Sequence, residues 1–117
     1  MRILVLDNDR ARLKLFKQKL IGNVVDCVET ASEAIELLKN NIYDQVSLDH
    51  DLTEQVFQPS GPGTGFEVAQ WIVDHKDRKP KKIVIHSLNN IGAQNILSIL
   101  PEADYIPGNW LLDKIKL

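Results

Sequence analysis

The residues most able to do chemistry in this 117-residue chain follow three of its apolar runs. Each run ends in a short polar group: Asp7, Asn8 and Asp9 near the amino terminus, Asp49, His50 and Asp51 in the middle, and His86, Ser87 and Asn89 later. Carboxylates that lie close together repel one another, so four of them favour a hard divalent cation. We therefore predict a site for Mg²⁺ or Mn²⁺ whose ligands are Asp7, Asp9, Asp49 and Asp51.

The two histidines of these groups add proton-transfer chemistry. An imidazole exchanges protons near neutral pH, so His50 is predicted to bind metal or to act as a general acid or base. His86 follows the last buried residues of its run and suits a catalytic role or a hydrogen-bonded place in the core equally well. Two of the aspartates also have simpler explanations, since Asp9 could cap a helix and Asp51 could be a solvated loop residue.

Short apolar runs alternate with amphipathic segments along the chain. Runs without polar alternation predict parallel strands covered on both faces, at Ile3–Leu6, Val24–Val28, Tyr43–Leu48, Lys81–Ile85 and Ala103–Ile106. Helical spacing of apolar residues predicts helices from about Arg10 to Gly22, Thr30 to Asn41, Thr64 or Gly65 to Val73, Asn90 to Leu100 and Trp110 to Leu117. Arg12 falls among the polar positions of the first helix. This order predicts an α/β fold, a doubly wound sheet of five parallel strands with helices on both faces.

The predicted sheet brings the three polar groups to one place. The carboxyl ends of parallel strands face the same edge of a sheet, where ligands bind. We therefore expect one acidic pocket at the ends of the first, third and fourth strands. The segment from Thr53 to Thr64 contains two prolines and two glycines and is predicted to be a loop, whose residues 55–64 would cover the ligand.

The composition is that of an ordinary globular protein, and one domain is predicted over residues 1–117. With 44% hydrophobic residues, 26% charged residues and a formal net charge of −2, the chain has no global field to hold duplex nucleic acid. No apolar run approaches the length of a membrane span, and a single cysteine, Cys27, excludes an intrachain disulfide. We expect a cytoplasmic protein that binds a small phosphorylated ligand.

Several of these segments together resemble the receiver domain of bacterial response regulators over nearly the whole chain. The matching residues are Arg2–Asp9, Tyr43–Asp49, Gly65–Glu67, Ser87 and Ala103–Tyr105. The resemblance implies a flavodoxin-like sheet with strand order 2-1-3-4-5. It also implies that Asp49 is the phosphoacceptor, that Asp7 and Asn8 help to hold magnesium, and that Ser87 is the switch hydroxyl.

The chain departs from that family at positions that matter for signalling. Receivers carry a lysine after the fifth strand, whereas Tyr105–Asn109 contains none, and His50 and Asp51 follow Asp49 where a hydrophobic residue and a proline are usual. These departures resemble a divergent branch of receiver-like domains in bacteria and phages that process cyclic phosphates. The segments that match this branch are Leu48–Leu52, Gly63–Gly65, His86–Asn89 and Gly92-Ala93.

This second resemblance implies metal-dependent hydrolysis of a cyclic phosphate, on a cyclic nucleotide or on an RNA 2′,3′-cyclic end in RNA repair. The catalytic residues would then be Asp49, His50 and His86, and the groups that bind phosphate oxygens would be Asn8, Thr64, Ser87 and Asn89. Two alternatives stay open: a divergent signalling module that is phosphorylated at Asp49, and a non-catalytic domain that binds a nucleotide or a metal.

Overall fold

The computed structural model describes residues 1–53 and 58–107 of the chain. Its strands are β1 (Arg2–Leu6), β2 (Val24–Val28), β3 (Gln45–Leu48), β4 (Lys82–Ser87) and β5 (Asp104–Pro107). They pair in parallel in the order β2-β1-β3-β4-β5, which confirms the predicted flavodoxin-like sheet. The third strand is shorter than predicted, because it begins at Gln45 rather than at Tyr43.

The helices in the described part are α1 (Arg10–Lys19), α2 (Ala31–Asn40), α3 (Gly65–Asp74) and α4 (Asn90–Ile99). Each follows a residue whose side chain accepts a hydrogen bond from a backbone N–H of the first turn: Asp9, Thr30, Thr64 and Asn89. Such caps replace hydrogen bonds that the first turn cannot make within the helix. A short 3-10 helix at Lys76–Arg78, which the sequence pattern does not indicate, follows α3.

The sheet is buried on both faces, and β1 shows how its residues divide between them. Leu4 and Leu6 lie in the core formed with α2, α3 and α4, whereas Ile3 and Val5 lie in the core formed with α1. All four side chains are fully buried, and burial of each contributes about 1.5–3 kcal/mol to stability. This division between the two faces also positions the polar residues beyond the strand ends.

Two predicted features lie outside the described residues. They are the final helix, from Trp110 to Leu117, and residues 54–57 of the predicted loop. None of the described helices is long and apolar enough to cross a membrane.

Candidate functional site

The register of the sheet places three polar side chains together beyond the ends of β1, β3 and β4. Val5, Ser47 and Val84 are paired across these strands, so they point to the same face, the one that α1 covers. Side chains alternate with a period of two along a strand. Two residues further along each strand stand Asp7, Asp49 and His86. One ligand atom from each of the three lies within 4.8 Å of the others.

Arg12 of α1 supplies positive charge to this group. Its guanidinium donates to both oxygens of Asp7, with an Nε–Oδ2 distance of 2.8 Å and an Nη2–Oδ1 distance of 3.1 Å. Nη2 also donates to Asp49 Oδ2 at 3.4 Å. Because both carboxylates are buried, this fork compensates charge that is costly to remove from water.

The buried His86 forms a hydrogen bond to Asp7. Its Nε2 bonds to Asp7 Oδ2 at 3.0 Å, and its Nδ1 bonds to Ser47 Oγ at 2.8 Å. Burial lowers the pKa of His86 more than the hydrogen bond to Asp7 raises it, so the ring is neutral at pH 7. Since a carboxylate only accepts, Nε2 carries the proton and the Ser47 hydroxyl donates to Nδ1. We name Asp7, Arg12, Ser47, Asp49 and His86 the Asp7 cluster.

The two carboxylates of the Asp7 cluster differ in protonation. Burial acts to raise the pKa of Asp7, but hydrogen bonds to His86 and Arg12 outweigh it and lower the pKa to about 2. At Asp49, burial and the charge of Asp7 raise the pKa to about 8, because Arg12 offsets them only in part. The pair therefore carries a single negative charge at pH 7, which the guanidinium balances.

The chemistry of the Asp7 cluster fits a hard divalent cation. Asp7 and Asp49 each offer a carboxylate oxygen, and Mg²⁺ is commonly held by one or two carboxylates with water and phosphate oxygens. His86 is close enough to be a third ligand, but Ser47 and Asp7 already bond to both of its ring nitrogens. The geometry thus favours Asp7 and Asp49 as the two oxygen ligands, with His86 hydrogen-bonded to Asp7.

The residue that follows Asp49 points to the opposite face of the sheet. His50 continues the side of the strand on which Leu48 lies, and Leu48 belongs to the core formed with α3 and α4. Accordingly, the His50 ring is fully buried, and a Cβ atom added to Gly92 of α4 would lie 2.5 Å from it. His50 therefore lies on the other face of the sheet from the Asp7 cluster, although it directly follows Asp49 in the sequence.

His50 is the centre of a second group of hydrogen-bonded side chains. Its Nδ1 bonds to Asp51 Oδ1 at 2.6 Å, and its Nε2 bonds to Ser60 Oγ at 2.8 Å. From α4 and its cap, Asn89 Nδ2 donates to Asp51 Oδ1 at 3.0 Å and Asn95 Nδ2 donates to Ser60 Oγ at 2.8 Å. We name these five residues the His50 cluster.

The four aspartates predicted to bind one metal are divided by the structure. Asp7 and Asp49 lie in the Asp7 cluster. Asp9 accepts hydrogen bonds from the backbone N–H groups of Ala11 and Arg12 as the cap of α1, and Asp51 belongs to the His50 cluster. A shared metal site for all four therefore stays a prediction, and the geometry favours two of them.

The residues predicted to bind phosphate oxygens lie around the same edge of the sheet, and three of them have local partners. Thr64 Oγ1 caps α3, Asn89 caps α4, and Ser87 Oγ accepts from the backbone N–H of Asn89 at 3.1 Å. Asn8 is half-buried directly after Asp7. Their binding of a ligand stays a prediction.

Four residues of the two clusters were not singled out from the sequence: Arg12, Ser47, Ser60 and Asn95. Two of them carried a signal. Ser47 is a polar residue in an apolar strand two positions before Asp49, and Arg12 stands in the first turn of a helix that starts at the site. Ser60 and Asn95 have no comparable signal, because residues 35 positions apart meet only through packing.

A parallel sheet in this order with a buried carboxylate after its central strand defines the class of receiver-like α/β domains. The chain belongs to the family of cyclic-phosphate processing receiver domains, whose family model matches residues 2–102. No curated protein matches the sequence.

Solved structures of receivers are similar to the whole fold. A CheY-like response regulator receiver domain protein from Methanospirillum hungatei is 26% identical with a TM-score of 0.72, over 97% of this chain and 89% of that one. The response regulator protein TrrA from Thermotoga maritima, in complex with Mg(2+)-BeF, is 25% identical with a TM-score of 0.71, over 93% of this chain and 89% of that one. A Francisella response regulator receiver domain, at 19% identity and a TM-score of 0.72 over 97% and 88%, shows the fold alone.

Proposed function

We propose that the domain hydrolyses a cyclic phosphate at the Asp7 cluster with the help of a divalent cation, on a cyclic nucleotide or on an RNA 2′,3′-cyclic end. The observation that carries this proposal is the Arg12 guanidinium placed across Asp7 and Asp49. A cation and two carboxylates are the groups needed to bind an anionic phosphate and a metal ion side by side. The family description, which names cyclic-phosphate processing, supports the same substrate class.

Asp7 and Asp49 would hold the metal, and Mg²⁺ or Mn²⁺ suits their oxygen atoms. When bound, the cation would polarise the phosphoryl oxygens and lower the pKa of a coordinated water. Asp49 would give up its proton, and Arg12 would exchange carboxylate partners for phosphoryl oxygens, which its planar fork also matches. The Thermotoga maritima neighbour is in complex with Mg(2+)-BeF, which supports a hard cation as a ligand of this domain.

We assign His86 a positioning role in this reaction, because neither of its ring nitrogens is available to a substrate. Through Ser47 on one side and Asp7 on the other, it keeps Asp7 ionised and fixed. A ligand role for Asp9 or Asp51, or a direct role for His50, has weaker geometric support, since each is engaged in a helix cap or in the His50 cluster.

The proposal is tested by incubating the protein with a 2′,3′-cyclic nucleotide and with an RNA that ends in a 2′,3′-cyclic phosphate. We expect hydrolysis with Mg²⁺ or Mn²⁺ and none with a chelator. Undiminished turnover in chelator would exclude the metal role. Thermal stabilisation by the nucleotide without turnover would instead indicate a binding domain.

Two arginines of α1 offer a matched pair of variants. Arg12→Gln removes the cation of the Asp7 cluster and is expected to lower turnover about 10²-fold, the scale for one group of a preorganised site. Arg10→Gln removes the same charge from an exposed position that pairs with Glu29 at the surface, and we expect no loss. Equal losses in both variants would assign the effect to the general charge of the helix.

A second candidate function is phosphorylation of Asp49 in signalling. It is favoured by the position of Asp49 after the central strand and by neighbours that are response regulators. The absence of a lysine from Tyr105–Asn109 counts against it, because that cation stabilises the charge that is transferred. Incubation with a small phosphodonor followed by intact-mass measurement distinguishes the two functions, since a single phosphoryl adduct that is lost in Asp49→Asn is expected only here.

A further inference from the structure

The His50 cluster contains an aspartate, a histidine and a serine bonded in series. Asp51 Oδ1 lies 2.6 Å from His50 Nδ1, and His50 Nε2 lies 2.8 Å from Ser60 Oγ. This is the connectivity in which a carboxylate orients an imidazole and the imidazole accepts the proton of a hydroxyl. The proposed hydrolysis of a cyclic phosphate makes no use of it.

The hydrogen-bond partners indicate the direction of these bonds. A carboxylate only accepts, so the short bond to Asp51 places a proton on His50 Nδ1, which the Asn89 amide also approaches at 3.4 Å. In the tautomer whose one ring proton is on Nδ1, Nε2 accepts from the Ser60 hydroxyl. Asn95 Nδ2 donates to the same Oγ at 2.8 Å, which fixes the oxygen and leaves its proton for His50.

Burial distinguishes the base from the nucleophile. The His50 ring is fully buried beneath Gly92, whereas Ser60 is half-buried in the segment before α3. Water is thus kept from the imidazole, whereas Ser60 is not fully buried. The Asn95 amide has a second N–H with no partner among the described residues, and this group can donate to an oxygen that gains negative charge.

We propose that Ser60, His50 and Asp51 form a second site, a nucleophilic serine that acts on small uncharged carboxylic esters. Ser60 Oγ attacks the carbonyl carbon while its proton passes to His50 Nε2. The bond from this carbon to the leaving alkoxide breaks, and the alkoxide takes the proton from Nε2. Water then attacks the acyl-serine with His50 as the base, releasing the carboxylic acid and restoring Ser60.

The preference for an uncharged substrate follows from the groups around the array. The side chains that bond to it from α4 and its cap are Asn89 and Asn95, which are neutral, and its one anion is Asp51. Arg12, a cation at this edge, belongs to the Asp7 cluster. The carboxylate of Asp51 would repel a phosphate bound beside Ser60, whereas it would not repel a neutral ester.

A fluorophosphonate probe tests the nucleophile directly, because Oγ forms a bond to phosphorus as fluoride leaves. The full chain is labelled in excess chelator, where the proposed metal-dependent reaction cannot occur, and the modified peptide is identified by mass spectrometry. We expect one adduct, on Ser60, and none in Ser60→Ala. Exposed Ser32, whose hydroxyl lies 3.3 Å from Thr30 Oγ1, is the internal control. No labelling, or equal labelling of Ser32 and Ser60, would overturn the proposal.

The roles of His50 as the base and Asp51 as the positioning residue are tested with a measurement that a purely structural role would not change. His50→Gln and Asp51→Asn are expected to slow labelling about 10²–10⁴-fold, and Asp51→Glu, which keeps the carboxylate, should recover part of the rate. Thermal melting of the same variants identifies any that fail to fold. Hydrolysis of 4-nitrophenyl acetate, lost in Ser60→Ala, tests the ester. Wild-type labelling at Ser60 without this turnover would overturn the substrate class alone.

Discussion

Two Asp–His–Ser arrays lie at the carboxyl edge of the sheet, and they differ in what surrounds the same three side-chain types. In the Asp7 cluster the serine is 1% exposed, and Arg12 adds a cation. In the His50 cluster the serine is half-buried near the surface, and the added side chains are neutral amides. A guanidinium beside carboxylates suits an anionic phosphate, whereas the hydroxyl of a half-buried serine beside a buried imidazole suits nucleophilic attack. The surroundings, rather than the residue types, decide what each array can do.

The separation of the two clusters has a simple cause. Side chains alternate between the faces of a sheet, so the chain that delivers Asp49 to the face of α1 delivers His50 to the face of α3 and α4. Substitutions can therefore be aimed at one cluster at a time, and each variant below changes at most one of the two.

The largest expected effect is the loss of cyclic-phosphate hydrolysis in Asp49→Asn. Removing one of two proposed metal ligands should lower turnover about 10³-fold, the upper scale for one group of a preorganised electrostatic site. Asp9→Asn is the matched control, because asparagine also caps helices well and Asp9 is placed outside the metal pair. A loss of the same size in Asp9→Asn, with an unchanged melting temperature, would restore Asp9 as a metal ligand.

The raised pKa of Asp49 predicts that stability falls as the pH rises. Between its ordinary value of 3.8 and about 8, the folded protein binds a proton at Asp49 that the unfolded chain has lost, so the free energy of unfolding decreases through this window. One pKa unit corresponds to about 1.4 kcal/mol, so even half of this shift amounts to about 3 kcal/mol. Asp7, whose pKa is lowered, contributes stability that is lost only below about pH 4.

Urea unfolding at pH 5 and pH 9 checks this dependence, with Asp49→Asn as the comparison. The variant cannot ionise at this position and should show a clearly smaller decrease. If the wild type and the variant lose stability in parallel, Asp49 does not have a raised pKa in the folded protein.

Gly92→Ala should disturb the His50 cluster and leave the Asp7 cluster in place. The added methyl group would lie 2.5 Å from the His50 ring, and overpacking of this kind costs about 1–3 kcal/mol, although alanine is the better helix former. We expect lower stability with metal-dependent turnover retained. Loss of turnover in a folded Gly92→Ala protein would show that the two clusters are coupled.

The smallest expected effect is a difference in stability between two serine variants. Ser47→Ala leaves the buried Nδ1 of His86 without its hydrogen-bond partner, and Ser60→Ala does the same to the buried Nε2 of His50, so each should cost about 1–3 kcal/mol. Because Ser60 is half-buried whereas Ser47 is 1% exposed, we expect the smaller cost in Ser60→Ala. Chemical denaturation of the pair measures the two costs, and a larger cost in Ser60→Ala would mean that Ser60 is the more structural of the two.

Much of the fold could be read from local sequence. The capping residues Asp9, Thr30 and Thr64 and the apolar runs at residues 3–6 and 24–28 act through neighbouring residues. The predicted order of helices and strands is confirmed over the described residues. Even the strand order was implied by the resemblance to receivers. Residues 54–57 of the predicted loop and residues 108–117 lie outside the described residues.

The candidate site was predicted less completely. The carboxyl ends of the strands were expected to supply the polar groups, and Asp7, Asp49 and His86 do converge. One acidic pocket was expected, however, and His50 and Asp51 lie in a separate cluster. The sequence already implied this division, because successive side chains along a strand point to opposite faces of the sheet and His50 directly follows Asp49.

The sequence by itself determined which strands and helices form and which polar residues follow the strands, because apolar periodicity and helix caps depend on residues close in the chain. Only the tertiary structure decided that Arg12 neutralises Asp7 and Asp49, that Ser47 supports His86, and that Ser60 reaches His50. These partners are separated by 5 to 39 positions. Whether such side chains meet depends on how α1 and α4 pack against the two faces of the sheet, and on how deeply that packing buries them.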